Sequence, residues 1–165
     1  MTAATIQSLH TNLVSLAEAT ATIVDGFIPD CEGACLGTSA VLAVALKEHG
    51  ITTTAVRGTF DEWDHWWLET ETHRIDATRR QFGSGLLVQA FADDGDEVPY
   101  LRERSFPSGW SQDQAVEEFA RMHTFYDVGA EHGRRVLDAV LAEARVVLAV
   151  PKPPALIKVR SAQTP

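Results

Sequence analysis

The spacing of apolar residues predicts two helices in the N-terminal third of the chain. Over residues 3–24, apolar positions recur every three or four residues with polar positions between them, which is typical of an amphipathic helix. A second helix is expected to begin near Cys35, after a loop containing proline and glycine, and to run to about His49. Gly50 supplies its C-terminal stop. Because alanine, leucine and valine occupy several sides of this second helix, we expect it to be deeply buried.

The middle of the chain changes from helical spacing to the alternation of β-strands. Residues 51–60 are β-branched and alternating, which predicts a strand, and residues 61–64 form a turn or short loop. Residues 65–70 and 73–78 are expected to form the two strands of a hairpin. Alternation divides the first of these strands into two faces, one carrying His65, Trp67 and Glu69 and the other Trp66 and Leu68.

The pattern is weaker in the next thirty residues. Residues 86–92 fit either a strand or a short helix, and the acidic residues 93–97 are most simply a solvated loop. Residues 98–101 are expected to return to the core before a polar stretch that contains proline and glycine and extends to Trp110.

Two further helices are predicted near the C-terminus. Ser111 with Gln114 three positions later forms a capping-box pattern, which predicts a helix running to about Tyr126. A last helix is expected from about Val128 to Val147, with valine and leucine at helical spacing. The sequence therefore predicts an α+β fold in which the Cys35 helix packs on a small antiparallel sheet, flanked by the N-terminal helix and a C-terminal helical pair.

Length and composition add the domain count and the expected location. At 165 residues the chain fits a single domain over residues 1–150, and the prolines after it predict a loosely held tail over residues 151–165. No apolar run approaches the roughly 20 residues needed to cross a bilayer, so we expect a soluble protein without a membrane partner. The N-terminus lacks the basic and apolar segments of a secretory signal, which favours a cytoplasmic location.

The charge balance argues against a nucleic-acid partner. The chain has 23 acidic and 14 basic residues and a formal net charge of -9, which would repel a phosphate backbone. Basic residues adjoin only at Arg79-Arg80 and Arg134-Arg135, so no basic face is evident.

Three residues in the central segment carry the candidate chemistry. Cys35 lies at a predicted helix N-terminus, where free backbone N–H groups favour the thiolate. A histidine beside a cysteine can accept its proton and later pass it to a leaving group, and a carboxylate can orient the imidazole. His65 and Asp76 occupy suitable positions on the two hairpin strands. The Cys35 backbone N–H is expected to be one oxyanion donor, and the sequence identifies no second donor.

Each of these residues also has a structural interpretation. Cys35 could be a small buried apolar residue, His65 a core histidine, and Asp76 a carboxylate that bonds to the backbone at the end of its strand. Asp61 or Asp64 could replace Asp76, although Asp64 adjoins His65 in the strand and should point to the opposite face.

Cys31 and the tryptophans carry weaker predictions. Cys31 has no matched partners and is expected to be structural. A zinc site formed by both cysteines and His65 or His73 has poor ligand spacing, so we expect no metal and no cofactor. Substrate-binding residues are expected among the tryptophans that could shape an acyl pocket, with packing against the histidine as the alternative for the last of them: Trp63, Trp66 and Trp67.

The same segment resembles the transglutaminase-like core of the papain-type cysteine enzymes. The resemblance lies in a Gly-Ala-Cys run before an alanine- and leucine-rich helix, a strand with Arg57-Gly58, a His-x-Trp-x-Glu strand, and the Ile-Asp-Ala-Thr run of residues 75–78. It covers about fifty residues. Gln81-Phe82 and residues 98–100 further resemble a group of small bacterial proteins of this superfamily.

The resemblance implies a papain-like fold and a catalytic triad of Cys35 as nucleophile, His65 as base and Asp76 as orienting carboxylate. It implies an acyl-enzyme that hydrolyses a peptide or side-chain amide, with a protein or peptide as substrate. Transfer of the acyl group to an amine is the second alternative, and a non-catalytic peptide-binding module on the same fold is the third. The chain lacks the flanking β-domains of animal transglutaminases, so calcium-dependent cross-linking is not expected. The sequence does not indicate the oligomeric state.

Overall fold

A computed structural model describes residues 3–31, 33–83, 88–91, 100–121 and 129–149. Within these residues the fold is α+β, with helices on a five-stranded antiparallel sheet. The helices are α1 (Ala3–Asp25), α2 (Cys35–Glu48), α3 (Gln112–Arg121) and α4 (Ala130–Leu148). The strands are β1 (Thr54–Phe60), β2 (Trp63–Glu69), β3 (His73–Ile75), β4 (Val88–Ala90) and β5 (Tyr100–Pro107). Single 3₁₀ turns occupy Pro29–Cys31 and Arg79–Phe82.

The helix predictions are largely confirmed. α1 covers the predicted N-terminal helix, and α2 begins at Cys35 and ends before His49, where Gly50 adopts a φ of +74°. Ser111 and Gln114 form the predicted capping box: the Gln114 N–H donates to Ser111 Oγ, and the Ser111 N–H donates to Gln114 Oε1. The part of the third predicted helix beyond residue 121 lies outside the described residues, as do residues 93–97 and the predicted tail.

The sheet has the order β4-β3-β2-β1-β5, with every neighbouring pair antiparallel. The three strands predicted over residues 51–60, 65–70 and 73–78 are present as β1, β2 and β3, but β1 begins only at Thr54, and β3 ends at Ile75, so Asp76 follows the strand instead of lying within it. Residues 88–90 form a strand, which decides between the strand and the short helix predicted there. The turn between β1 and β2 is tighter than predicted: only Asp61 and Glu62 turn, both with positive φ, and Trp63 already belongs to β2.

β5 corrects the prediction for residues 100–107. Leu101 was expected in the core, but it lies in an edge strand and is 70% exposed. The polar stretch that follows has no predicted strand, but it pairs with β1 along its length. Edge strands need little apolar alternation because one face and one edge can remain in water, so the polar segment gave no strand signal.

The two faces of the sheet have different surroundings. Ala55, Leu68 and Ile75 join the apolar side chains of the helices in the main core. His65 and Trp67 alternate with them along β2 and therefore project from the other face, although both are fully buried. β2 thus has large buried groups on both faces, as expected for a central strand.

α2 is buried along most of its length, as predicted. Every residue from Gly37 to Leu46 is buried, while Leu36 is half-buried. Gly37 permits the close crossing of α3, because a Cβ at this position would lie 2.6 Å from the Phe119 Cα. The crossing fixes α3 beside the N-terminal end of α2. Among the described residues, no helix has the length and apolar character required to cross a membrane.

Candidate active site

Cys35 is the first residue of α2 and is almost completely buried, with 8% of its surface exposed. The chain reaches it through a sharp loop in which Cys31 and Gly33 have φ values of 56° and 68°. No side chain caps the N-terminus of this helix. The Ala34 carbonyl accepts from the Thr38 N–H at 2.9 Å. The N–H groups of the first turn therefore face the site that contains the Cys35 sulfur.

His65 and Asp76 form a buried pair beside this helix terminus. His65 Nε2 donates to Asp76 Oδ2 at 2.7 Å, and the two side chains are 0% and 2% exposed. His65 is held in the middle of β2 opposite Gly58 of β1, and Asp76 follows the last residue of β3. The hairpin register therefore brings the carboxylate to the imidazole, as the sequence predicted.

Asp76 is bound through both of its oxygens. Oδ2 accepts from His65 Nε2 and from the Tyr100 hydroxyl, which lies 2.6 Å away. Oδ1 accepts from the Thr78 N–H at 3.0 Å and from the Thr78 hydroxyl at 3.1 Å. Burial alone would raise the pKa of Asp76, but the charge of His65 and these hydrogen bonds outweigh burial and lower it. Asp76 is therefore a carboxylate at neutral pH.

The balance between burial and the interactions with Asp76 also decides the pKa of His65. Burial lowers the pKa of this imidazole, but the charge and hydrogen bond of Asp76, together with a hydrogen bond and charge interaction from Cys35, raise it to about 9. Cys35 therefore contributes to the raised pKa of His65. At neutral pH the imidazole is predominantly protonated, which is the state that stabilises an adjacent thiolate.

An aromatic shell encloses the imidazole. Four rings have centroids between 4.9 and 6.3 Å from that of His65, namely those of Phe60, Trp67, Phe82 and Tyr100. The Trp67 indole is itself held by donation from its Nε1 to Glu69 Oε1 at 3.0 Å. These contacts fix the plane of the imidazole and exclude water from the His65–Asp76 pair.

Gln81 and Tyr100 are site residues that the sequence did not assign. Gln81 Oε1 accepts from the Gly33 N–H at 3.2 Å, in the loop before Cys35, and its Nε2 lies 3.3 Å from His65 Nδ1. The Gln81 amide thus spans from the nucleophile loop to the imidazole. Both residues belong to the runs that resemble small bacterial proteins of the superfamily, but that resemblance gives them no role. The role of Tyr100 depends on the pairing of β5 with β1, which the sequence does not predict.

The rival carboxylates point elsewhere. Asp64 receives two hydrogen bonds from the Arg57 guanidinium, at 3.0 and 3.1 Å, and its side chain is 61% exposed. Asp61 is an exposed residue of the β1–β2 turn. Neither of these carboxylates is a hydrogen-bond partner of His65 among the described residues, so the geometry favours Asp76.

The three predicted substrate-binding tryptophans lie in different environments. Trp63 is 68% exposed beside the β1–β2 turn. Trp66 is half-buried and stacks on Phe106 of β5, with ring centroids 5.7 Å apart. Trp67 is 1% exposed and stacks on His65, which is the packing arrangement left open for it above. Of the three, Trp66 alone lines a surface groove that the described residues form.

Cys31 has the environment of a structural thiol. It is fully buried and donates to Asp25 Oδ1 at 3.0 Å. Burial and the Asp25 carboxylate strongly raise the pKa of this thiol. Within the described ranges, no group of three or more histidine, cysteine, aspartate and glutamate side chains could hold a metal ion.

No protein-family model, curated protein or solved structure matches the chain. The candidate site thus consists of a thiol at a helix N-terminus and a buried imidazole whose Nε2 is bound to a buried carboxylate.

Proposed function

We propose that this protein is a cysteine-nucleophile enzyme of the transglutaminase-like, papain-type class, and that it hydrolyses a peptide or side-chain amide through an acyl-enzyme at Cys35. The observation that carries the proposal is the buried His65–Asp76 hydrogen bond of 2.7 Å, on an imidazole whose pKa is raised in part by Cys35, the first residue of α2. The chain order of nucleophile helix, histidine strand and aspartate after the next strand is that of the family which the sequence resembles.

The proposed reaction has two steps. The Cys35 thiolate attacks the amide carbonyl carbon, and protonated His65 gives its Nδ1 proton to the leaving nitrogen as the C–N bond breaks. The product is a thioester on Cys35 and a free amine. Neutral His65 then removes a proton from water, the hydroxyl adds to the thioester carbonyl, and the C–S bond breaks to release a carboxylic acid and the thiolate. Asp76 holds the imidazole by Nε2 throughout. Nδ1 accepts from the Gln81 NH₂ group while the imidazole is neutral and carries the transferred proton while it is protonated.

The buried charges favour catalysis over the alternative of a pure binding module. Burying a carboxylate and a protonated imidazole carries a desolvation cost of several kcal/mol per ion, and replacement by apolar groups is often neutral or stabilising. A binding groove does not need such a pair directly behind a thiol. An acyl-transfer enzyme does, because it must store and move one proton in each step.

An activated ester tests the proposal without knowledge of the substrate. On mixing with p-nitrophenyl acetate, we expect a burst of nitrophenolate and an acetyl group on the peptide containing Cys35, detected by mass spectrometry. Cys31→Ala should retain the burst because Cys31 is buried and bonded to Asp25, whereas Cys35→Ala should lose it. Acetylation spread over both cysteines, or an equal burst in Cys35→Ala, would contradict the proposal.

Gln81 is proposed as the second oxyanion donor, beside the backbone N–H of Cys35. Its amide oxygen is held by Gly33, so its NH₂ group is directed to the place where the thiol and the imidazole meet. Removing one oxyanion donor typically costs on the order of a hundredfold in rate, and we expect that loss in the acylation rate constant of Gln81→Ala.

The control for Gln81 is Gln112→Ala, which removes an exposed glutamine that bonds to Glu48 on the protein surface. Its acylation rate should equal that of the wild type. A Gln81→Ala enzyme that acylates within about twofold of the wild type would exclude the amide as a donor, since even one weak transition-state hydrogen bond is worth more.

A further inference from the structure

A groove of about 390 Å³ lies where α2, β2, β5 and α3 meet. Its walls include Leu36, the residue after Cys35, and Trp66, which lies on the face of β2 opposite to His65. The volume is within the roughly 300–1,000 Å³ of sites that bind small ligands or single side chains. A residue seated here would contact the first turn of α2 at Leu36 and the face of β2 that carries Trp66.

The groove combines aromatic walls with one carboxylate. Trp66, Phe106 and Trp110 provide the aromatic surface, and Glu118 of α3 provides the charge. The Glu118 side chain is only 23% exposed. The partner that the structure gives it is Arg121 at 3.4 Å, an exposed guanidinium one helical turn away, and such pairs contribute little. Glu118 is thus available to a cation that enters the groove.

We propose that this groove is a specificity site for an arginine side chain of the substrate. A guanidinium is planar and weakly hydrated, stacks on indole rings and binds a carboxylate through paired N–H groups. Its aliphatic stem would contact Leu36 and the tryptophans. Lysine fits less well, because its ammonium is a strongly hydrated point charge that cannot stack.

The net charge of the whole chain also favours a cationic substrate. With a formal net charge of -9, the protein attracts cationic substrates over a distance and repels acidic ones. The inference rests on the proposed function for its identification of the bound arginine as part of a substrate, but the recognition of a guanidinium can be measured without any catalysis.

The binding test uses Cys35→Ala, which cannot react. N-acetylarginine N-methylamide and its citrulline counterpart differ in charge but hardly in shape, and their affinities can be compared by NMR titration of the tryptophan indole N–H signals. We expect the arginine compound to bind about tenfold more tightly, with shifts of the Trp66 and Trp110 signals, because a cation–π contact and a carboxylate partner each favour the charged form. Equal affinities for the two compounds would overturn the inference.

A matched pair of variants locates the charge recognition. Glu118→Gln should bring the arginine-to-citrulline ratio close to one, while Glu117→Gln, an equal charge change at an exposed neighbouring position of the same helix, should keep it. A ratio that survives Glu118→Gln, or one that Glu117→Gln also abolishes, would overturn the assignment to this groove. Failure of acylation at Cys35 with the arginine preference intact would contradict the proposed function alone.

Discussion

Replacing Asp76 with asparagine is expected to lower the pKa of His65 from about 9 to below its ordinary value of 6.5. Burial by itself lowers the pKa of this imidazole, and the charge and hydrogen bond of Asp76 are the main causes that raise it. An asparagine keeps the size of the side chain and removes the charge, so burial should then dominate. The titration of the His65 ring signals, followed by NMR in both proteins, measures the shift directly.

The same substitution should change how stability depends on pH. His65 has a raised pKa in the folded state. Its contribution to the free energy of unfolding is therefore fully present below about pH 6.5 and is lost as the pH rises through about 9. The difference between these values corresponds to a stabilisation on the order of 3 kcal/mol. Asp76 has a lowered pKa in the folded state. Its contribution to the free energy of unfolding is therefore present above its ordinary pKa of 3.8 and is lost as the pH falls below that value.

Denaturant unfolding at a series of pH values therefore has a definite expected outcome. The free energy of unfolding of the wild type should decline from about pH 6.5 to about pH 9, and the decline should be absent in Asp76→Asn. Asp64→Asn is the control, because Asp64 is an exposed carboxylate paired with Arg57 and should leave the decline unchanged. A decline of equal size in Asp76→Asn would contradict the charge coupling described for the His65–Asp76 pair.

Patterns among residues close together in the chain were sufficient to predict the helices and the order of the candidate site residues along the chain. The capping box at Ser111 and the glycine after α2 depend on residues a few positions apart, and the structure has both. The placement of His65 and Asp76 follows from strand alternation and a single hairpin register. These relations are local, so the sequence contains them.

The parts that escaped prediction depend on contacts between distant segments. β5 is polar and forms an edge, so only its pairing with β1 makes it a strand. Tyr100 reaches Asp76 through that pairing, and Gln81 reaches Gly33 across forty-eight positions of the chain. The groove has the same origin, because β2, β5 and α3 meet there only in the folded protein.

The central claim is that His65 activates the Cys35 thiol. A free cysteine is only a few per cent thiolate at neutral pH, whereas a thiolate paired with an imidazolium is predominantly ionised. The gain is partly offset because a stabilised thiolate is a weaker nucleophile. We therefore expect Cys35 to react with a small alkylating agent about tenfold faster than free cysteine, and to lose that advantage in His65→Gln, which keeps a polar side chain at the site.

The most direct measurement is the rate constant for alkylation of Cys35 by iodoacetamide at neutral pH, followed by mass spectrometry in the Cys31→Ala background. The account predicts a rate about tenfold above that of free cysteine in the parent and a fall of about tenfold in His65→Gln. A parent that reacts no faster than free cysteine, and no faster than its His65→Gln variant, would contradict the claim that these residues form an activated thiol.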